Sequence, residues 1–208
     1  MPLRDGRSGK TRLAGALGPQ ERSHLIAALG RHVVTTLLAA GTARVLVVTR
    51  DPQFATDALA PVDTRVEVVR QPETRRGLNA AVSMGHELAA TGAQGRLLVI
   101  HADLPLLTPD DVFALLRPPT PVVLAPDRTG KGTNALVLDQ VVCGFRFWFG
   151  SDSRAAHTQE AAALGLHTAM VRRRGTSTDL DTPADLAALP ETVRSRLVWR
   201  AVSGQRDQ

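Results

Sequence analysis

An α/β fold, a mostly parallel and doubly wound sheet, is predicted by three features of this sequence. Short β-branched runs such as Val45-Leu46-Val47-Val48 alternate with segments of helical periodicity. Thr or Asp followed by Pro marks helix starts at Asp51-Pro52, Thr108-Pro109 and Thr182-Pro183. Acidic or Gly-rich stretches follow several of the strands, and open α/β sheets bind ligands at their strands' carboxyl ends.

The elements follow in order. After Gly18-Pro19, Leu25, Ile26, Leu29, Val33, Leu37 and Leu38 recur at three- and four-residue steps, a helix that Gly41 ends. Val45 to Val48 is a buried strand, and Asp51-Pro52 opens a short helix to about Leu59. Val66 to Val69 is the next strand, and Gly77-Leu78-Asn79 leads into a helix ending near Ala90. Leu97 to Ile100 is a strand, and Thr108-Pro109-Asp110-Asp111 starts a helix with a capping Thr and acid in the first turn. Val122-Val123-Leu124 and Ala135 to Leu138 are strands joined by the loop Asp127 to Gly132. Ser153 to Leu164 is a helix, His167 to Val171 a strand, and Thr182-Pro183-Ala184-Asp185 caps a final helix. The opening strand that mononucleotide-binding α/β domains use to deliver a phosphate loop is either absent or reduced to a few residues. Residues 1–202 read as one domain, and 203–208 as a disordered tail.

Composition limits the function classes. With 208 residues, 43% hydrophobic and 22% charged, the chain can bury a core and is not a disordered segment. No apolar run approaches the roughly 20 residues of a membrane span, and residues 1–6 carry no secretory signal. The single Cys143 fits a reducing cytoplasm and reads as a small buried hydrophobe. The net charge of +5 raises nucleic acid as a partner. The basic residues are scattered, however, and 3% aromatics without Tyr provide no stacking platform, so anionic small substrates are preferred. Gly144-Phe145-Arg146-Phe147-Trp148-Phe149 is apolar enough for either a homodimer interface or a core strand.

Several short segments carry chemistry. Gly6 to Thr11 imitates a P-loop, but the first Gly of that motif would fall at Arg4, and no room remains for a preceding strand. What remains is a Gly-containing segment with Arg4, Arg7, Lys10 and Arg12, suited to wrapping a triphosphate; the plain alternative is a solvated basic terminus. Lys10 and Lys131 are the only lysines, and both lie in Gly-rich loops. Asp103 directly follows the most apolar strand and is placed to hold Mg²⁺, or simply to cap a loop. Asp179 and Asp181 at i and i+2 share one face of extended backbone, and like charges on one face favour a cation; capping by Asp181 or Thr182 is the alternative. Gly77 and Asn79 at a helix start suit close approach to a base or ribose, and equally a simple cap. Thr133, Asn134, the Gly150 N–H and Ser153 are placed to hold a phosphate and a carboxylate, although a turn and an N-cap explain the same residues. His101 reads as structural.

In this order the segments resemble the guanylyltransferases that act on 2-phospholactate or phosphoenolpyruvate in coenzyme F420 biosynthesis. The resemblance runs from Pro2 to about Leu186. It rests on Gly9-Lys10-Thr11-Arg12-Leu13, Gly77-Leu78-Asn79-Ala80-Ala81 and Ala102-Asp103-Leu104-Pro105-Leu106. It rests further on Pro126-Asp127-Arg128 with Gly132-Thr133-Asn134-Ala135-Leu136, Phe149-Gly150 with Ser153 and His157, and Asp179-Leu180-Asp181-Thr182-Pro183. It implies the nucleotide-diphospho-sugar transferase type of sheet, with Asp103, Asp179 and Asp181 as Mg²⁺ ligands and Thr133, Gly150 and Ser153 as phospho-acid contacts. Arg4, Lys10, Arg12, Gly77, Asn79 and Asn134 become nucleotide contacts, and Lys10 and Asp103 the catalytic pair. The implied reaction is in-line attack by the acceptor's phosphate oxygen on the α-phosphorus of GTP, with pyrophosphate leaving against Lys10, Arg12 and Arg4. The shortened opening strand and His101 depart from the family pattern. Phosphoenolpyruvate is preferred as acceptor because the Ala-, Leu- and Arg-rich composition looks bacterial. The rival readings are a related nucleotidyltransferase acting on a sugar phosphate or a molybdopterin cofactor, and a basic nucleotide- or RNA-binding protein without catalysis.

Overall fold

The computed structural model describes residues 1–4, 10–61, 63–90, 95–139 and 142–197. The Gly-containing segment 5–9 and the tail 203–208 with its boundary at 202 lie outside the described residues. A 3₁₀ turn (Thr11–Leu13) precedes α1 (Pro19–Ala39), β1 (Val45–Thr49), α2 (Pro52–Leu59), β2 (Val66–Arg70) and α3 (Leu78–Ala90). Then follow β3 (Arg96–Ile100), α4 (Pro109–Leu116), β4 (Val122–Pro126), β5 (Thr133–Asp139), α5 (Ser153–Ala163) and β6 (Thr168–Met170). The chain continues through α6 (Arg174–Ser177), α7 (Pro183–Ala188) and α8 (Glu191–Leu197). The helix at Thr182 is therefore not the final one, and the short α6 and α8 were not anticipated. Four residues in α6 and seven in α8 are too few for a helical period to stand out from flanking loop.

Strands β1 and β2 pair in parallel, and a second sheet has the order β3-β5-β4-β6. In that sheet β3, β4 and β6 run the same way, and only β5 is reversed. The reversal follows from the short Asp127-to-Gly132 connection, which can join neighbouring strands only as a hairpin. Alternate residues of β4 and β5 serve opposite faces. Val123, Ala125, Ala135 and Val137 pack with α1 and α4 residues, while Leu124, Leu136 and Leu138 pack with Phe145, Phe149 and Ala161. Helices on both sides are what a doubly wound sheet requires.

Of the two forms the sequence left open for the opening strand, the reduced one is found. Pro2 makes one parallel bridge to Val48, with the Leu3 N–H donating to Val48 O and the Val48 N–H to Met1 O. A groove of about 350 Å³ lies between the facing edges of β1 and β3, with Met1 and Pro2 at its wall. Two other expectations resolve here. Cys143 is exposed, not buried, because it stands just before the alternating run in which Phe145, Phe147 and Phe149 take the inward positions. That run feeds the core, but as irregular backbone and not as the strand of its second reading, and Trp148 stays exposed. Among the described residues no helix is long and apolar enough to cross a membrane.

One close approach holds the loop after β3 against α6. Buried Asp111 accepts from the Thr108 N–H (3.0 Å) and hydroxyl (2.8 Å) and from Arg173 Nε (2.9 Å). A Cβ at Gly175 would run into Asp111 Oδ2 and lie 2.6 Å from Leu106 O. Gly175→Ala is expected to cost about 2–3 kcal/mol by overpacking, read as a lower urea midpoint at unchanged slope. An unchanged midpoint would show that this contact relaxes freely.

Candidate functional site

At the carboxyl ends of the strands lies a half-open cleft of about 500 Å³. Its wall includes Arg4, Lys10, Arg12, Asp103, Thr133, Asn134, Gly150, Ser153, Asp179 and Asp181, which are far apart in sequence. Gly77 and Asn79 are not part of that wall; Leu78 between them is. Asn79, expected as a nucleotide contact, also has a partner within the fold. Its amide donates to Phe149 O (3.0 Å) and its carbonyl accepts from the Phe149 N–H (2.7 Å), so it clamps α3 to the aromatic segment. Gly77 has φ +92, a backbone state that explains its Gly, and its carbonyl accepts from Gln71.

The acids converge through backbone geometry. Leu180 is fully buried, so in this extended stretch Asp179 and Asp181 both turn to the cleft, as their spacing predicts. The Leu180 N–H donates to Asp103 O at 3.0 Å, which ties the two acidic segments directly together. Leu180 shares one apolar cluster with Leu13, Leu25 and Leu29, so the turn that carries Lys10 is anchored to the same patch as the acids. Thr182, and not Asp181, caps α7: Asp185 accepts from the N–H groups of Asp181 (3.1 Å) and Thr182 (2.8 Å), and Arg128 also pairs with it. Asp181 is left free for the cleft.

Between the acids sits the ammonium of Lys10, 2.5 Å from Asp103 Oδ2 and 2.8 Å from Asp181 Oδ1. Lys10 adopts a left-handed backbone (φ 54, ψ 40), which costs a non-Gly residue roughly 1–2 kcal/mol. Each attraction is worth about 4 kcal/mol at an effective dielectric of 20 before desolvation, and the cost of burying the charges is set against it. Burial alone would lower the Lys10 pKa, but Asp103 and Asp181 raise it above its ordinary value. Burial would likewise raise Asp103, but Lys10 and then His101 bring it below the usual carboxylate range. Asp179 is pushed up, first by burial and then by repulsion from Asp103 and Asp181. Asn134 donates to Thr176 O (3.1 Å) and approaches Asp179 Oδ1 (3.5 Å), so its amide group holds the Asp179 segment.

Among the described residues no three acidic, His or Cys side chains are gathered tightly enough to grip a metal ion as they stand. In this structure the cation between Asp103 and Asp181 is the Lys10 ammonium. The donor set nonetheless suits a hard cation. Asp103 Oδ1 is buried without a partner, and Asp179 bears the repulsion of two neighbouring carboxylates.

The other end of the cleft is built by the β4–β5 hairpin and the start of α5. Asp127 caps its own loop, accepting from Thr129 and from the Lys131 N–H (3.0 Å), and the Arg154 N–H donates to Lys131 O (3.0 Å). Gly150 has φ +140, open only to Gly, and Asp152 (φ 55) turns the chain into α5 so that Ser153 begins the helix at the cleft. Thr133 and Ser153 are both buried at this wall. Sequence reasoning gave no role to His101, yet it lines the cleft with Nε2 unpartnered. Its position directly after β3 was the available signal.

A family model described as "Guanylyl transferase CofC like" matches residues 1–190. The chain belongs to this family. A phosphoenolpyruvate guanylyltransferase of Rubrobacter xylanophilus is 38% identical over 194 residues, covering 91% of each chain. A 2-phospho-L-lactate guanylyltransferase of Methanothrix thermoacetophila is 34% identical over 177 residues, covering 85% of this chain and 76% of that one. The inositol-1-phosphate CTP transferase of T. maritima superposes with a TM-score of 0.59 at 13% identity, covering 94% of each chain. A nucleotidyl transferase from Methanothermobacter thermautotrophicus reaches 0.61 at 16% identity, covering 81% of this chain and 80% of that one. At such identities the superpositions establish a shared fold, the one common to nucleotide-diphospho-sugar transferases.

The charge arrangement of this CofC-like cleft makes a pH-dependent prediction. Asp103 is held below its ordinary pKa with Lys10's help, so the stability linked to that pairing is present above the ordinary Asp value and lost as pH falls below it, through the depressed value. Lys10→Met should lower stability by on the order of 2 kcal/mol near about pH 7 and by much less near about pH 2.5, below the ordinary Asp value. Urea unfolding at the two pH values measures this, and an equal loss at both would remove the ion pairs as its cause.

Proposed function

We propose that this chain transfers GMP from GTP to phosphoenolpyruvate, with release of pyrophosphate, in coenzyme F420 biosynthesis. The observation that carries the reading is one cleft with three chemically distinct parts. A basic edge of Arg4, Lys10 and Arg12 meets the acids Asp103, Asp179 and Asp181, and a hydroxyl-bearing end of Thr133 and Ser153 lies beyond them. Phosphoenolpyruvate is favoured over 2-phospho-L-lactate by relatives of 35–38% identity that carry the phosphoenolpyruvate name. The 2-phospho-L-lactate enzymes of Methanothrix and Haloarcula, at 34–35%, keep that acid as the second reading.

The chain's own residues serve the reaction by position and charge, and no nucleophilic side chain is needed. Arg4, Arg12 and Lys10 neutralise the triphosphate, and Lys10 leaves its carboxylate partners to do so. Thr133, Gly150 and Ser153 hold the phospho-acid so that its phosphate oxygen faces the α-phosphorus in line with the departing pyrophosphate. Asp103, Asp179 and Asp181 would hold Mg²⁺, which when bound supplies charge neutralisation for the reacting phosphates. Asn134, through Asp179, and Asp185, through the Asp181 and Thr182 N–H groups, keep the acids in place.

Pyrophosphate release measured with GTP and Mg²⁺ against phosphoenolpyruvate, 2-phospho-L-lactate, 3-phosphoglycerate and a sugar phosphate tests the proposal. Turnover should be fastest with phosphoenolpyruvate; a sugar phosphate as best acceptor, or salt-sensitive RNA binding without turnover, would replace the reading. Asp103→Asn is expected to reduce kcat/KM by about 10³-fold or more. Ser153→Ala should chiefly raise the acceptor KM, by about 3- to 10-fold. Near-normal turnover in Asp103→Asn would take that carboxylate out of the chemistry.

A further inference from the structure

His157 belongs to no part of the cleft wall, yet it is fully buried one helical turn beyond Ser153, on the same face of α5. Phe149 meets its ring edge-on at 4.7 Å between centroids, and Phe145 stacks at 6.2 Å. A polar ring buried among aromatics is costly unless both nitrogens are satisfied, and here both are. The Trp148 N–H donates to Nε2 at 2.9 Å, and Nδ1 lies 3.1 Å from Thr133 Oγ1.

These two contacts determine where the protons sit. A backbone amide can only donate, so Nε2 must offer its lone pair, and the neutral ring carries its proton on Nδ1. Nδ1–H therefore donates to Thr133 Oγ1, which satisfies the hydroxyl as acceptor and leaves its own proton to be given elsewhere. A phosphate or carboxylate accepts hydrogen bonds and donates none, so a hydroxyl held as donor is the form an anionic acceptor requires.

We propose that His157 is a positioning residue for the phospho-acid: through its Nδ1–H it sets the Thr133 hydroxyl as a donor toward the acceptor's anionic group. The inference rests on the reading of Thr133 as an acceptor contact. Burial, together with His101 beyond β3, pushes the ring down to about 4 against the opposing pull of Glu160, so the arrangement persists across the neutral range. Protonation would set an Nε2–H against the Trp148 N–H, donor facing donor.

Three substitutions separate this role from packing. In His157→Gln the amide reaches the Nε2 position and can accept from Trp148, but Thr133 loses its donor. In His157→Asn the amide reaches the Nδ1 position and can still donate to Thr133. Thr133→Val removes the hydroxyl. His157→Gln and Thr133→Val should each raise the acceptor KM about tenfold, with the GTP KM changed less than about twofold. His157→Asn should recover most of the acceptor KM despite lower stability. The double variant Thr133→Val/His157→Gln should be no worse than Thr133→Val alone, since both remove one interaction. Nitrogen-15 NMR of His-labelled protein should show Nδ1 protonated and Nε2 bare from about pH 5 to pH 8. A proton on Nε2 overturns the inference even if the variants fold poorly. An acceptor KM raised in Thr133→Val but unchanged in His157→Gln overturns it while leaving Thr133 an acceptor contact. No effect of Thr133→Val removes both.

Discussion

Like charge is the governing constraint of this molecule. Asp103, Asp179 and Asp181 lie at one cleft, and their mutual repulsion must be overcome by the chain before any ligand arrives. The Leu180 N–H to Asp103 O bond does this through the backbone, and buried Leu180 does it by fixing which way its two neighbours face. The Lys10 ammonium completes the balance between Asp103 and Asp181, at the expense of a left-handed turn. A cleft so charged is suited to exchanging one cation for another as phosphates enter.

The supporting structure repeats one device. Thr108-Pro109-Asp110-Asp111 and Thr182-Pro183-Ala184-Asp185 are both reciprocal capping boxes, and each places a mostly buried Asp beneath one of the acidic segments. Each Asp also takes an Arg from elsewhere, Arg173 for Asp111 and Arg128 for Asp185. Cap and ion pair together stiffen the loop after β3 and the loop before α7, so the cleft acids stand on helix starts and not on free loop. At the far end Asp127, Gly150 and the His157–Thr133 contact do the same for the hydroxyl-bearing wall. Binding groups thus have a second tier of residues whose own hydrogen bonds are complete.

Much of this was legible in the linear order of residues. Periodicity located α1 through α5 to within about two residues, because long apolar stripes and Pro-marked starts are local signals. Of the candidate site residues, Asp103 and the Asp179/Asp181 pair were readable from strand-end position and i, i+2 spacing. For Asn79, an amide after Gly at a helix start looks the same in sequence whether or not it meets the Phe149 backbone, as it does here. Cys143 misled because one residue's place beside an alternating run does not reveal on which side the run turns inward. His157 stood in the sequence without a stated role, as nothing local shows that Trp148 and Thr133 flank its ring.

The sequence by itself determined the alternation of strands and helices, the caps, and which residue types were available for phosphate and metal chemistry. Those properties arise from contacts within a few residues, where side-chain volume, φ preference and hydrogen-bonding type act directly. Tertiary structure alone decided that the cation between Asp103 and Asp181 is Lys10 and that Asn134 steadies Asp179. Each of these joins segments tens of residues apart, and only the packing of both sheet faces brings such segments within hydrogen-bond reach.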